Sequence, residues 1–200
     1  MTTLIRGIVA CRGSVAALAI AALLPSIQHL RAATATSIDP SRTKIEFEVD
    51  GVGWPRTKGR FTAFSGKIAV DLRRPEASNV SFRVGAKSID VGSPSFDDYL
   101  RGDAFFDVAQ FPEITFVSTA VEKVANNHAR VSGDLTLHGV THPFTIDVEI
   151  ERSSAPNEDR LDFRATGIVH RLEFGMNAGF PAIGNDVDLI ISTQVAAEPQ

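Results

Sequence analysis

The sequence contains almost no cysteine and no long apolar run, and both absences narrow what the chain can be. Cys11 is the only cysteine among 200 residues, which excludes an intrachain disulfide framework and a thiolate cluster for zinc or iron–sulfur. The apolar stretch from Ser14 to Leu24 has about half of the ~20 residues that a membrane-spanning helix needs. The 20 basic side chains form no cluster and are outnumbered by 24 acidic ones, which argues against nucleic acid as a partner.

Short motifs of catalysis and metal binding are also missing. The sequence has no Gly-x-Ser-x-Gly and no His-Glu-x-x-His, and the glycine-bearing stretch Gly175–Gly184 lacks the Lys-Ser/Thr of a phosphate loop. His138 and His142 flank a Gly-Val-Thr turn, but a metal site needs three or four converging ligands. The sequence therefore predicts no metal, no catalytic residues and no cofactor.

The first 35 residues are typical of a secretory signal peptide. Arg6 and Arg12 precede the apolar stretch, and Ala33-Thr34-Ala35 provides a small-residue cleavage site. An uncleaved membrane anchor is the alternative. Cleavage after Ala35 removes the only cysteine and leaves residues 36–200 as one acidic domain, suited to an oxidising compartment. We therefore expect an exported domain that is not an integral membrane protein.

Beyond Ile38 the hydrophobic period is two, which is typical of strands with one face in an apolar core. Eight such runs are separated by turn signals: 45–49, 66–72, 80–84, 114–116, 131–137, 144–150, 161–165 and 187–191. The pattern predicts an all-β fold. Large inward residues on eight short strands favour an eight-stranded antiparallel barrel over a two-sheet sandwich. Gly59, ahead of Phe61, is interpreted as a bulge or sharp bend. Ser93 or Ser95 is expected to begin a short helical insert that runs to Arg101.

The inward rows give two interpretations of the interior. They line a tunnel for an apolar chain, or they fill the barrel as an ordinary core, because an eight-stranded barrel can do either. If a ligand is bound, burial of its carbons drives binding at about 0.8 kcal/mol per CH₂. The candidate inward set is Phe47, Val49, Phe82, Val84, Phe116, Phe144, Ile146, Phe163 and Leu189.

The segment between Gly92 and Pro112 holds five aromatic residues, Phe96, Tyr99, Phe105, Phe106 and Phe111. It is expected either to cap one end of a tunnel or to plug the barrel. As a cap, Asp97, Asp98, Tyr99 or Arg101 would meet a ligand head group. Asp97 and Arg101 are also spaced to form a surface ion pair. Arg171 and Asn177, at a later irregular segment, are further head-group candidates.

Several fragments in order resemble the YceI-like family between about Ile38 and Val195. The most specific is Gly133–Thr141 (GDLTLHGVT), and others are Ser88–Gly92, Phe111–Phe116 and Gly184–Val187. The resemblance implies a lipocalin-like barrel, export to the periplasm and a hydrophobic tunnel for a long-chain amphiphile such as a polyisoprenoid or isoprenoid quinone. The chain departs from the family pattern at Phe96 and Tyr99, where family members often have an Arg and a His. It also departs at Ala104, where family members have an acidic residue.

These expectations combine into a non-enzymatic protein that binds, sequesters or carries such an amphiphile. Its predicted ligand-binding residues are the inward set together with Tyr99 and Phe105, and its head-group candidates are Asp97, Arg101 and Arg171. One alternative is an enzyme that acts on a hydrophobic substrate with Asp97, Tyr99 or His138 as acid or base. Another is a filled barrel with a stress or structural role. An exposed edge or apolar rim would allow a homodimer.

Overall fold

The computed structural model describes residues 35–153 and 160–196. The predicted signal peptide lies outside these residues except for Ala35, so residues 1–35 remain a sequence prediction. The elements are β1 (Thr36–Ser37), β2 (Thr43–Gly51), β3 (Trp54–Phe61), β4 (Phe64–Ala69), β5 (Asn79–Gly85), β6 (Ile89–Asp90), α1 (Pro94–Arg101), β7 (Glu113–Ala125), β8 (His128–Leu137), β9 (Val140–Arg152), β10 (Arg160–His170) and β11 (Ile183–Ala196), with 3₁₀ turns at Pro40–Arg42, Pro75–Ala77, Ala86–Ser88 and Arg171–Phe174.

All strand pairs are antiparallel and belong to one sheet. Three pairs of strands are halves of interrupted runs: β1 with β2, β3 with β4, and β5 with β6. The β3–β4 run bends at Thr62 and Ala63, where Thr62 N–H donates to Ser88 O (3.2 Å) and Gly85 N–H donates to Ala63 O (2.9 Å). Counted in this way there are eight runs, and each is hydrogen-bonded to two neighbours. The predicted antiparallel barrel is confirmed.

The predicted count of eight strands is wrong in detail, because the described residues form eleven strands: the sequence prediction missed β3 and the two-residue strands β1 and β6. In β3 the inward positions are Thr57, Gly59 and Phe61, opposite Val49, Phe47 and Ile45. Only the last of the three carries a large apolar side chain, so the alternation is invisible. Gly59 marks neither a bulge nor a bend. A Cβ there would lie 2.2 Å from Cζ of Phe47, so the phenyl ring occupies the space of the missing side chain.

The connections give the barrel two distinct ends. The capped end carries the β2–β3 turn, the insert 92–112, the β8–β9 turn and the loop 171–182, and the turn end carries the loop 70–78 and the β7–β8 turn at 126–127. Helix α1 begins after Ser93, as the sequence predicts, and Ile89 beside it is fully buried. Within the described residues no helix is long and apolar enough to cross a bilayer.

Candidate functional site

The barrel encloses an apolar cavity of about 1240 Å³, larger than the roughly 300–1,000 Å³ of pockets for drug-sized ligands. Alternate residues of every long strand line it, because period-two alternation points one row inward. The wall includes every member of the predicted ligand-binding set except Tyr99: Phe47, Val49, Phe82, Val84, Phe105, Phe116, Phe144, Ile146, Phe163 and Leu189. That these residues bind a ligand stays a prediction.

The interior is open rather than filled. Phe47, Phe82, Phe116 and Leu189 point inward, yet they are only half-buried. Their exposed surface faces the cavity, because all four lie on the row of side chains that lines it. The structure therefore favours the tunnel interpretation over the filled-core interpretation.

The insert forms part of the cavity wall at the capped end. Phe96, Leu100, Phe105 and Phe106 line the cavity, and the ring of Phe106 packs edge-on against Phe61, with 5.9 Å between centroids. Tyr99 lies on the outer side of this layer and is exposed. Tyr99 contacts the rings of Phe96 and Phe105. The aromatic cluster is thus a cap, and Tyr99 does not line the cavity that it covers.

Asp97 and Arg101 hold the cap in place. The buried Asp97 carboxylate accepts the backbone N–H of Val91 (2.8 Å). Arg101 donates to the carbonyls of Lys87 (2.8 Å) and Ile89 (2.9 Å) and pairs with Asp98 rather than with Asp97. The predicted Asp97–Arg101 surface ion pair is therefore wrong, since Asp97 faces the strand-to-helix turn instead of solvent. Neither side chain lines the cavity.

Arg171 is a buried cation on the cavity wall, only 5% exposed. It donates to the backbone carbonyls of Met176 and Ala178 (2.9 Å) in the loop that follows it, and of Ile183 (2.8 Å) and Gly184 (2.7 Å) at the start of β11. Among the residues that the structure describes, no carboxylate pairs with it. Desolvation by burial lowers the pKa of Arg171 below its ordinary range. The site therefore places a largely uncompensated positive charge beside an apolar cavity.

Two of the histidines, His138 and His142, hold connections of the chain together instead of converging on a metal site. His138 Nδ1–H donates to Phe174 O (3.2 Å), and His142 Nε2–H donates to the adjacent Glu173 O (3.1 Å). Both therefore tie the β8–β9 hairpin to the 3₁₀ turn at Arg171–Phe174. His138 does not line the cavity. Over residues 35–153 and 160–196, no group of three metal-binding side chains occurs.

The cavity reaches the surface at both ends, because exposed residues complete its wall there. At the capped end these include Asp50, Pro55, Arg56, Lys58 and Ala182, and at the turn end Leu72, Asn79, Lys123, Asn126 and His128. The β2–β3 turn and residues 179–182 lie side by side at the capped end, and we call the opening that they border the mouth.

Charges on the β2–β3 side of the mouth are paired. Arg56 bridges Glu48 (2.9 Å), Asp50 (2.9 Å) and Asp188, and Lys58 contacts Glu48 at 2.8 Å. The hydrogen bond and charge of Lys58 hold the pKa of Glu48 below its ordinary value, with Arg56 assisting. The network holds three carboxylates and two cations, so this side of the mouth is slightly acidic.

Sequence reasoning also missed several wall residues. Ile89, Val91, Ile114, Val187 and Ile191 line the cavity beside the predicted set. Ile114, Val187 and Ile191 carry the same alternation, so the pattern itself could have identified them. Nothing in the sequence pattern marks the buried hydroxyl pair of Thr43 and Thr193 (2.6 Å), whose Thr193 lines the cavity.

Comparison with known proteins gives consistent matches over the barrel. The model of the YceI-like domain matches residues 37–195. UPF0312 proteins of Yersinia pestis (strain Pestoides F) and Enterobacter sp. (strain 638) are each 32% identical over 152 residues, covering 75% of this chain and 79% of the relative.

Solved structures share the fold. Burkholderia cenocepacia BcnA is 22% identical with a TM-score of 0.73, covering 80% of this chain and 99% of that one. The Campylobacter jejuni YCEI protein is also 22% identical, with a TM-score of 0.67 and coverages of 75% and 90%. A polyisoprenoid binding domain from Saccharophagus degradans, implicated in plant cell wall breakdown, is 17% identical with a TM-score of 0.64, covering 82% and 99%. At these identities the likeness shows the barrel fold alone.

Proposed function

The chain belongs to the YceI-like family, and from this premise we propose that it binds a long-chain isoprenoid amphiphile, a polyisoprenoid or isoprenoid quinone, inside the barrel without chemical conversion. The single observation that carries the proposal is the open apolar cavity of about 1240 Å³. Its phenyl and aliphatic wall replaces water around an apolar chain, and each buried CH₂ contributes about 0.8 kcal/mol. The polyisoprenoid binding domain with the same fold supports the ligand class.

We assign the head group of this ligand to the capped end. Arg171 supplies a buried positive charge on the cavity wall, and a guanidinium has five N–H donors. The four backbone carbonyls occupy four of them, which leaves one donor for a phosphate or a quinone carbonyl. Asp97 and Arg101, the other two candidates, are reassigned to positioning the cap, because their polar atoms already bind backbone groups and Asp98.

A binding role is favoured over the alternatives. The open interior supports it against a filled structural barrel. The three residues considered as acid or base for an enzyme, Asp97, Tyr99 and His138, are all absent from the cavity wall. Such a carrier would work in the periplasm if the predicted signal peptide is cleaved.

The test is to purify the domain from the periplasm, extract it with organic solvent and identify bound lipids by mass spectrometry. We expect a stoichiometric isoprenoid from the wild type. Ala165 lines the cavity on β10, and its neighbour Thr166 faces solvent. Ala165→Phe narrows the cavity and should lose most of the bound lipid, whereas Thr166→Phe adds the same ring outside and should retain it.

Far-UV circular dichroism on both variants checks that they fold equally. If the wild-type extract is empty and the protein takes up no short-chain ubiquinone from solution, the proposed function is wrong. Equal loading of Ala165→Phe and wild type would show that the lipid lies elsewhere.

A further inference from the structure

The mouth carries an apolar patch that nothing in the described residues covers. Val52, at the tip of the β2–β3 turn, is 74% exposed, and Phe180 is 54% exposed. Val52 N–H donates to Ala182 O (2.7 Å), which joins the two tips. We call Val52, Phe180 and the exposed Pro181 that follows Phe180 the mouth patch.

The mouth patch is continuous with the cavity wall. Gly51 and Gly179, which line the cavity, directly precede Val52 and Phe180, and Ala182 on the wall directly follows Pro181. A chain leaving the cavity through the mouth therefore passes beside these residues. Exposed apolar side chains grouped around an opening mark an interaction site, whereas single ones scattered over a surface are ordinary.

We propose that the mouth patch inserts into the surface of a lipid bilayer, so that the cavity opens directly towards the membrane. This inference rests on the proposed function. A long isoprenoid chain resides in bilayers because its transfer into water is unfavourable for every carbon, so a carrier must meet the bilayer where its cavity opens. Side chains such as Val and Phe bury at the boundary between head groups and acyl chains.

The charges beside the mouth patch identify the bilayer as one that needs no anionic lipid. Asp50 is paired with Arg56 (2.9 Å), and Asp186 is paired with His170 (2.8 Å). No basic cluster of the kind that recognises anionic lipids occurs among the residues described around the mouth. Binding is therefore driven by apolar burial and should change little with salt.

Flotation with phosphatidylcholine vesicles tests the inference, together with the rate at which the protein transfers a long-chain ubiquinone between such vesicles. The double variant Val52→Asp/Phe180→Asp should cease to float, and its transfer should slow about 30-fold or more. Uptake of a short-chain ubiquinone dissolved in buffer should stay unchanged. Val52→Asp alone, on the more exposed side chain, should give part of the loss if the double variant folds poorly.

Strand β7 provides a matched control, because Val117 and Val124 are exposed to similar extents, 55% and 59%, and neither lines the cavity. Val117→Asp/Val124→Asp adds the same charge and should float and transfer within about twofold of wild type. The inference is overturned if this control loses flotation instead, if neither variant does, or if the wild type takes up soluble ubiquinone but never floats. It is also overturned if the mouth patch variant splits a dimer in vesicle-free solution, which would make the patch a contact between copies. Flotation on ubiquinone-free vesicles without uptake would refute the proposed function and leave membrane docking standing.

Discussion

The two ends of the barrel are closed by segments whose polar side chains differ in burial. Both must terminate eight runs of strand around an apolar cavity. The capped end uses a helical insert and a loop whose polar groups are buried and satisfied, with Asp97 bound to Val91 N–H and Arg171 bound to four carbonyls. The turn end uses short connections whose polar residues, such as Lys123 and Asn126, remain exposed.

The contrast shows where the structure is costly to disturb. Buried polar groups stabilise only when every partner is present, and removing one leaves the others unsatisfied. Exposed polar groups exchange their partners for water at little cost. Substitutions of buried groups and of matched exposed groups should therefore differ strongly, and the pairs below test that difference.

The largest difference is expected for apolar truncation. Ile89 is fully buried at the capped end, and Leu72 is exposed at the turn end. Ile89→Ala should lower the free energy of unfolding by about 4 kcal/mol, whereas Leu72→Ala should change it by less than about 0.5 kcal/mol. Urea denaturation measures both. Equal effects would show that the cap contributes no more to stability than the turns.

The next difference concerns buried cations. Arg171→Met leaves the four backbone carbonyls without donors and should destabilise the fold by about 3 kcal/mol. The control Arg83→Met breaks an exposed pair with Glu113 and should cost less than about 1 kcal/mol. Unfolding midpoints in urea compare them. A neutral Arg171→Met would mean that water reaches these carbonyls and that the loop does not depend on the guanidinium.

A smaller difference is expected inside the cap itself. Asp97→Leu removes the acceptor of the Val91 N–H and should cost about 2 kcal/mol. Its neighbour Asp98 is exposed, and Asp98→Leu should cost less than about 1 kcal/mol. Hydrogen exchange at Val91 gives a second readout, which should accelerate only in Asp97→Leu. Unchanged protection there would contradict the assigned contact.

The smallest difference is expected in how the stability of the fold depends on acidic pH. Backbone N–H groups of Arg74 and Gly92, then the side chains of Arg74 and Arg60, hold the pKa values of Asp71 and Asp90 below 3.8. A lowered folded-state pKa stabilises the fold above the unfolded-state pKa, and this stabilisation is lost as pH falls through the folded value. Asp71→Asn and Asp90→Asn should therefore each flatten the loss of stability between about pH 5 and about pH 2.

Urea unfolding across that range measures the slope for each variant. The effects should be modest and similar, because these two carboxylates are solvent-accessible at both ends of the barrel. A slope that matches wild type in both variants would show that other carboxylates control acid unfolding.

The amount predictable from sequence differs between the barrel and its ends. Alternation identified eight of the eleven strands and placed Phe47, Phe82 and Phe144 on the inner row, because a strand sends successive side chains to opposite faces. It could not find β3, since the register puts Gly59 under the ring of Phe47. It could not separate a tunnel from a filled core either, because both interiors require the same apolar row.

Local periodicity and backbone preferences are enough to predict the all-β class, the inner rows and a cap that begins after Ser93 or Ser95. The closed barrel is needed to show that the interior is open, that Asp97 faces Val91 and that Arg171 is buried against the cavity. Each of these depends on which distant carbonyls, amides and rings surround a side chain once the barrel closes, and no local pattern carries that information. The mouth patch has the same origin, since Val52 and Phe180 lie far apart in the chain and are brought to one end of the barrel by the pairing of β2 with β11 and by the hydrogen bond from Val52 N–H to Ala182 O.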